Sequence, residues 1–406
     1  MPKTRSTERS ESPGPSKGYF AGLSASTFLL ALTSLFADIA SEMLYPILPI
    51  FLTQELGASV NVIGLIEGVA QATQYISQGL SGFVSDKLRR RKTIALLGYS
   101  LSAIAKPLIG FSATWSGALG ARALDRLGAG TRAAPRDALV AASASEEDRG
   151  KAFGLEGAGD NLGAFLGPLL AVTLVGWLHV RLRSMFYLSI VPGVLAASMV
   201  IFTRDAAPRV PSQTTLAPRG ARLPPQYLKV LAVTAVFGLG NSSNSFLVLR
   251  TKALGASLTT TILIYAAFNL IAALASYPAG HLSDRVGRKG VLLVSFLVFT
   301  VVYAGFGLTA NVVVIGFLFV LYGMYQGIFR AVGKALATDF LPDEVRATGL
   351  GWYAATVGVT GLVANLVGGE LWTRFGPPAT FFFGAASALL GSLALVLLVR
   401  SRNRDA

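Results

Sequence analysis

The chain has 406 residues, of which 52% are hydrophobic and only 14% charged, with a mean hydropathy of +0.57. Soluble domains carry about 25% charged residues, so this composition excludes an ordinary soluble globule. The net charge of +14 does not call for nucleic acid, because Lys and Arg gather in short hydrophilic connections between long apolar runs, where they set membrane topology.

Residues 1–21 read as a cytoplasmic N-terminal tail, polar through Lys17 and entering the first apolar run without a small-residue cleavage site. Six runs follow at 22–52, 62–84, 93–112, 116–139, 152–177 and 184–202, each long enough to cross a bilayer core of about 30 Å as a helix. The alternating segments of ~10 residues that mark a membrane barrel do not occur. Residues 203–226, rich in Pro and Arg, form a hydrophilic cytoplasmic linker. Six more runs lie at 227–250, 259–281, 289–309, 311–338, 348–371 and 376–399, and residues 400–406 form a short basic tail. The expected architecture is an all-α membrane protein of twelve transmembrane helices in two six-helix bundles, 22–202 and 227–399.

Charge orients the segments. With both termini inside, the cytoplasmic side receives Lys3, Arg5, Arg9, Lys17, the cluster from Lys87 to Lys92, Arg149 and Lys151. It also receives Arg204, Arg209, Arg219, Arg222, Arg285, Arg288, Lys289, Arg346 and the tail. Arg181, Arg183, Arg250, Lys252 and Arg374 fall outside, against this bias. The reading is a multi-pass protein of the inner, cytoplasmic membrane with cytoplasmic termini.

A short segment occurs twice. Gly82-Phe-Val-Ser-Asp86-Lys-Leu-Arg89-Arg90-Arg91-Lys92 follows the second run; Gly280-His-Leu-Ser-Asp284-Arg285-Val-Gly287-Arg288-Lys289 follows the eighth. The offset, 284 − 86 = 198, is about half the chain. Leu56-Gly57-Ala58-Ser59 matches Leu254-Gly255-Ala256-Ser257 at the same offset, and Glu147-Asp-Arg149 matches Glu344-Val-Arg346 at 197. Three landmarks in register describe parallel repeats related by an axis along the membrane normal.

These motifs resemble the major facilitator superfamily over nearly the whole chain. The family's loop Gly-x-x-x-Asp-Arg-x-Gly-Arg-Arg/Lys is matched closely by the second copy. The first carries Lys87 for Arg and Arg89 for the second Gly. The resemblance implies a cytoplasmic latch at Gly82, Asp86, Arg90, Gly280, Asp284, Arg285 and Arg288. Gly163-Ala-Phe-Leu-Gly167-Pro168 resembles the Gly-x-x-x-Gly-Pro signature of the family's antiporters, with Leu169-Leu170-Ala171 in place of the usual following Gly-Gly. Physically, small residues permit close helix packing and a proline bends its helix. Arg126 with Gly130 resembles the family's Arg-x-x-Gln-Gly, with Ala129 for Gln, and the family links that Arg to proton movement.

Charges inside a bilayer are costly and mark functional sites by default. Asp38 and Glu42 share one face of the first segment, as Glu156 and Asp160 share one face of the fifth. Glu67, Gln71, Gln74 and Gln78 form a stripe on the second, Lys106 lies in the third, and the fourth carries Arg122, Asp125, Arg126, Arg132, Arg136 and Asp137. The acid faces and the stripe are expected to line one cleft. Two acids on one face repel when both are ionised, which suits a proton carrier: Asp38 is expected first, Glu42 second, and Arg126 as the cation that displaces the proton. Arg132, Arg136, Glu156 and Asp160 are expected to bridge helices and gate the cytoplasmic mouth. The second half has Asn241, Asn244, Asn269, Tyr325, Gln326, Arg330 and Tyr353, which with Gln71 and Gln74 suit a substrate cavity.

No Gly-x-x-x-x-Gly-Lys-Ser/Thr loop, Gly-x-Ser-x-Gly elbow or Cys/His metal spacing is present, and cysteine is absent. The chain is therefore not expected to be an enzyme, nor to hold a metal or cofactor. Its expected partners are a small-molecule substrate, protons and the lipid bilayer, with the chain as a monomer. The function expected is alternating-access transport, as proton-coupled antiport exporting a small organic molecule. The alternative is proton-coupled uptake of an anionic solute such as an organic acid or siderophore. A non-transporting receptor is disfavoured by the intramembrane acids.

Overall fold

The computed structural model describes residues 23–88, 90–145, 148–204, 223–342 and 345–400, with the backbone alone for Phe83, Asp86, Arg346 and Ala347. The N-terminal tail, most of the linker, Arg89, Glu147, Glu344, the tail beyond Arg400 and the side chains of Asp86 and Arg346 lie outside the described residues.

Ser24 starts the first helix: its hydroxyl accepts the N–H of Thr27, an N-cap. Helix α1 spans Ala25–Glu42 and α2 Leu48–Gln54. The single helix expected over 22–52 is therefore two, separated by turns at residues 43–47. Pro46 sits in that break, and it has no N–H to offer the carbonyl of Glu42. Then follow α3 (Val60–Leu88), α4 (Arg91–Phe111), α5 (Trp115–Ala142) and α6 (Arg149–Val172), the last ending in a wide π turn, Thr173–Trp177. Helices α7 (Leu182–Leu188) and α8 (Ile190–Phe202) complete the first bundle.

The seventh expected helix, 227–250, is also broken, into α9 (Pro225–Gly238) and α10 (Asn244–Ala253). The break reads Leu239-Gly240-Asn241-Ser242-Ser243, short polar side chains that compete for backbone bonds; Ser243 then caps α10 through the N–H of Ser245. Helices α11 (Leu258–Val286), α12 (Arg288–Leu308), α13 (Val312–Thr338), α14 (Arg346–Phe375) and α15 (Pro377–Leu398) complete the second bundle. Nine described helical stretches are long and apolar enough to cross a membrane. Among the other membrane-length segments, α3 and α5 are dense in polar and charged residues, and α9–α10 is interrupted.

In the first bundle α1 packs on α6, and α5 on both α3 and α4; the second repeats this with α13 on α11 and α12. The two bundles meet where α3 lies on α14 and α6 on α11. Their cores differ. In the first, Gly98 and Gly128 let α4 and α5 approach backbone to backbone, with no room for a side chain at either. In the second, stacked rings fill the centre, with Phe237 against Phe296 and Phe299 against Tyr303, both at 3.9 Å between centroids.

Both described termini lie at one end of the molecule, here the near end. There Lys92 donates to the carbonyls of Ile201 and Thr203, and Lys289, 197 positions later, donates to those of Val396 and Val399. Each ammonium closes the free C-terminal carbonyls of its bundle's last helix. Of the far-end basic residues that run against the charge bias, Arg183, Arg250, Lys252 and Arg374 have partners too. Arg183 donates to the carbonyls of Gly110 and Ser112, and Arg250 to those of Phe306 and Thr309. Lys252 donates to the carbonyl of Ala256, and Arg374 pairs with Glu370.

The bundles touch along their far halves and separate toward the near end. Gly369 lies against Val60 and Asn61, Gly68 against Leu362, Gly358 against Tyr75, and Gly176 against Thr259. Nearer the termini, Gly79, Gly154, Gly157, Gly280 and Gly351 face open space. The central cavity is thus closed at the far end and open at the near end.

Candidate functional site

The far wall of the cavity is a hydrogen-bonded seam between the bundles, built around the two helix breaks. Tyr45 and Ser243, 198 positions apart and so equivalent in the repeat, share a hydrogen bond at 3.1 Å. Ser243 donates its hydroxyl to Glu67 (3.2 Å) and its N–H to Asn365 (2.8 Å), and the Asn365 amide donates to Gln71 (3.2 Å). Beside this, Glu42 Oε2 accepts from Tyr265 (3.0 Å) and from the amide of Asn269 (3.2 Å). Asn269 also donates to the carbonyl of Ala164, and the Tyr45 and Tyr265 rings stack at 5.5 Å. One carboxylate of the first bundle is thereby held by two donors of the second.

Behind the seam lies a buried charge cluster. Asp125 is wholly enclosed and pairs with Lys106 (2.9 Å), Arg122 (3.2 Å) and Arg126 (2.8 Å), while Ser102 donates to it at 2.5 Å. Arg122 also reaches Glu67 at 3.2 Å. Positions 122, 125 and 126 fall on one face of α5, which turns the three side chains together. Three cations meet two carboxylates, leaving one positive charge in excess. Arg126, expected to serve Asp38, is instead committed to Asp125 and to Gln74 (3.3 Å), the acid on its own helix being the nearer partner. Glu67 is buried in this cluster, and Gln71 is packed between α3 and α14 against Gly361. Neither lies on an open cleft as the stripe suggested.

Asp38 is half-buried and has no hydrogen bond or ion pair among the described residues. Gly163 packs against its Cβ, and Gly167 lies against the N–H of Met43, so the Gly163/Gly167 face of α6 rests on α1 with Pro168 buried beside it. The charged groups whose fields reach Asp38 are Asp160, Glu42, Arg132 and Arg136. Toward the near end, Arg136 pairs with Glu156 (3.0 Å), Asp137 (2.9 Å) and Asp160 (3.9 Å), and Ser34 donates to Glu156 at 2.5 Å. Arg132 does not join them; its guanidinium lies over the Tyr99 ring at 4.5 Å.

The second bundle's cavity residues separate in the same way. Tyr325 is fully buried among Phe237, Phe299 and Phe329, so it belongs to the aromatic core and not to the cavity wall. Asn241 sits in the helix break, and Asn244 accepts from Tyr322 at 2.8 Å. Gln326 and Tyr353 are half-buried, and Arg330 is exposed. In the latch region Gly82 lies against the methyl of Ala134, Gly280 faces open space, and Arg90 and Arg285 are exposed. Arg288 pairs with Asp284 (3.2 Å) and with Asp339 (2.5 Å). Asp339 ends α13, and only the fold brings it to the repeated loop.

Comparison with known proteins gives the same architecture. The family model described as Major Facilitator Superfamily matches residues 30–249 and 230–406. An uncharacterized MFS-type transporter of Methanocaldococcus jannaschii is 34% identical over 382 residues, 93% of this chain and 95% of that one. A probable 4-methylmuconolactone transporter of Cupriavidus pinatubonensis is 28% identical over 344 residues, 80% of this chain and 78% of that one. Among solved structures, a nucleoside transporter, NupG, superposes with a TM-score of 0.76 at 13% identity, covering 92% of this chain and 100% of that one. A D-xylose–proton symporter superposes at 0.73 with 16% identity, covering 92% and 97%.

Proposed function

This chain belongs to the Major Facilitator Superfamily and is a multi-pass membrane transporter, and from that premise we propose that it is a proton-coupled antiporter exporting a small organic molecule. The near end faces the cytoplasm in this reading, as the positive charge there favours. The observation that carries the proposal is Glu42, which joins the bundles across the closed far seam by accepting from Tyr265 and Asn269.

Closing that seam removes Glu42 from water. Enclosing an ionised carboxylate costs several kcal/mol, whereas the neutral acid keeps a carbonyl oxygen that still accepts both bonds. A proton taken up at the far side therefore favours the far-closed, near-open state. Asp38, one turn nearer the cytoplasmic mouth and without a partner among the described residues, is the next acceptor on the way in. Release of the proton leaves an ionised Glu42 in the seam, which then favours reopening outward with substrate aboard. Arg126 acts on this path only through Asp125 and Gln74, by holding α5 in place. The repeated loop and the Arg136–Glu156 pair are proposed as the contacts that rearrange at the near end.

Everted vesicles with an acid-loaded lumen test this. The first compound to add is 4-methylmuconolactone, for which the Cupriavidus relative is named. Proton efflux on addition is expected, and Glu42→Gln is expected to abolish it while leaving binding intact. Acidification of the lumen on addition would assign symport, and full gradient-driven transport by Glu42→Gln would remove Glu42 from the mechanism.

A further inference from the structure

We infer that Arg330, Lys334 and the hydroxyl of Tyr353 form an anion site on the cavity wall, and that the molecule carried is a small organic carboxylate. The inference rests on the transporter reading and is independent of the direction of transport.

Arg330 faces the space between the bundles. Its charge reaches Glu42 on α1 and Tyr75 on α3, both in the opposite bundle. Lys334, four positions on, shares its face of α13. Both side chains are exposed, and neither has an ion pair or hydrogen bond among the described residues. The hydroxyl of Tyr353 fills the space that a side chain on Gly333 would occupy, between the two cations in sequence.

The first bundle shows how such cations are otherwise satisfied. The matching helix of the first bundle, α5, also carries two cations four positions apart toward the near end, Arg132 and Arg136. In the first bundle they are satisfied: Arg132 by the Tyr99 ring, Arg136 by Glu156, Asp137 and Asp160. Among the described residues Arg330 and Lys334 have no such partner. A cation at membrane depth is costly unless paired or hydrated, and Arg330 faces the space between the bundles.

The donor set indicates the ligand. A guanidinium presents two parallel N–H groups that match a carboxylate, an ammonium one turn away adds a point charge, and a phenol adds a donor. Tyr75 of α3 packs on Gly358, five positions beyond Tyr353 on α14, and the faces of such rings suit a flat, unsaturated body.

The test is equilibrium binding by the full-length protein in lipid nanodiscs, read by thermal shift and calorimetry. The probes are benzoate, salicylate, cis,cis-muconate and succinate, set against benzamide, benzylamine and phenyl phosphate. At least one carboxylate is expected to bind where benzamide and benzylamine do not. Arg330→Gln is expected to weaken that binding about 10- to 100-fold, the range of a lost charge-assisted bond. Arg330→Lys should recover part of it. Binding of amide or amine as tight as that of the carboxylates, binding unchanged in Arg330→Gln, or silence from all four carboxylates would overturn the proposal; preference for phenyl phosphate would overturn the carboxylate assignment.

Should Arg330→Gln fail to fold, a second measurement avoids it. The chain has no cysteine, so Gln326→Cys, one turn from Arg330, supplies a single thiol. Its reaction with an anionic methanethiosulfonate should outpace that with a cationic one several-fold, relative to a free thiol, and a preference for the cationic reagent would sink the proposal. Binding needs no proton gradient, so failure here leaves the Glu42 reading standing. No substrate-driven proton movement by the unaltered protein, with carboxylate binding intact, would count against the Glu42 reading alone.

Discussion

Gly369→Ala should open the far seam from its edge. A Cβ at this position would stand 2.8 Å from the Cα of Asn61 and 3.0 Å from the carbonyl oxygen of Val60. Carbon atoms pack at about 3.5 Å or more, so α14 and α3 must part by roughly 0.7 Å. Overpacking of that kind costs about 1–3 kcal/mol. Here the strain falls on the far-closed state alone, because the two helices separate when the seam opens. The ratio of far-closed to far-open molecules should fall by a factor of about 5 to 150. Spin labels on Leu80→Cys and Trp352→Cys, both exposed near-end positions of α3 and α14, report that ratio by pulsed electron resonance, with a shorter distance growing as the near end closes. Gly351, on the same helix, faces open space, and Gly351→Ala should leave the distances unchanged. An unaltered distribution in Gly369→Ala, or an equal shift in Gly351→Ala, would refute the reasoning.

Two further outcomes follow from the polar interior. Ser243→Ala removes the hydroxyl shared with Tyr45 and Glu67; it should shift the same spin-label ratio in the same direction by about fivefold, the effect of one net hydrogen bond, and no shift would show that the seam does not depend on it. Asp125→Asn leaves Lys106, Arg122 and Arg126 facing Glu67 alone, and should cost about 3–5 kcal/mol in thermal unfolding. Adding Lys106→Met should recover part of that loss, and a double variant no more stable than Asp125→Asn would contradict the pairing.

Much of the architecture is legible in the residues because bilayer thickness imposes a length that hydropathy records. The 198-residue register then placed equivalent positions opposite one another. The breaks near Pro46 and at Leu239–Ser243 escaped that reading, since hydropathy is blind to a missing backbone bond, although the proline and the run of small polar residues are local signals for both. Same-helix spacing brought Asp38 with Glu42 and Glu156 with Asp160, yet it gives a face and not a partner. Hence spacing alone sets Arg126 beside Asp38 where the fold pairs it with Asp125, and it does not show the convergence of Lys106, Asp125, Arg122 and Glu67 from three helices. Tyr325 joins the aromatic core for a related reason: a phenol suits a pocket wall and an aromatic core equally well until its neighbours are known.

The contact between Tyr45 and Ser243 also says why both bundles belong on one polypeptide. Residues at matching positions that touch lie on the two-fold axis, and in a homodimer they would be identical. A pair of identical subunits would set tyrosine against tyrosine there. It would also place a carboxylate at both sites equivalent to Glu42, whereas this chain has Gly240 at the second. Two acids confronting each other across one narrow axis would repel whenever both were charged. Covalent linkage lifts that constraint: one copy keeps the acid, the other supplies its donors, and a single proton governs a junction that symmetry would otherwise have made double.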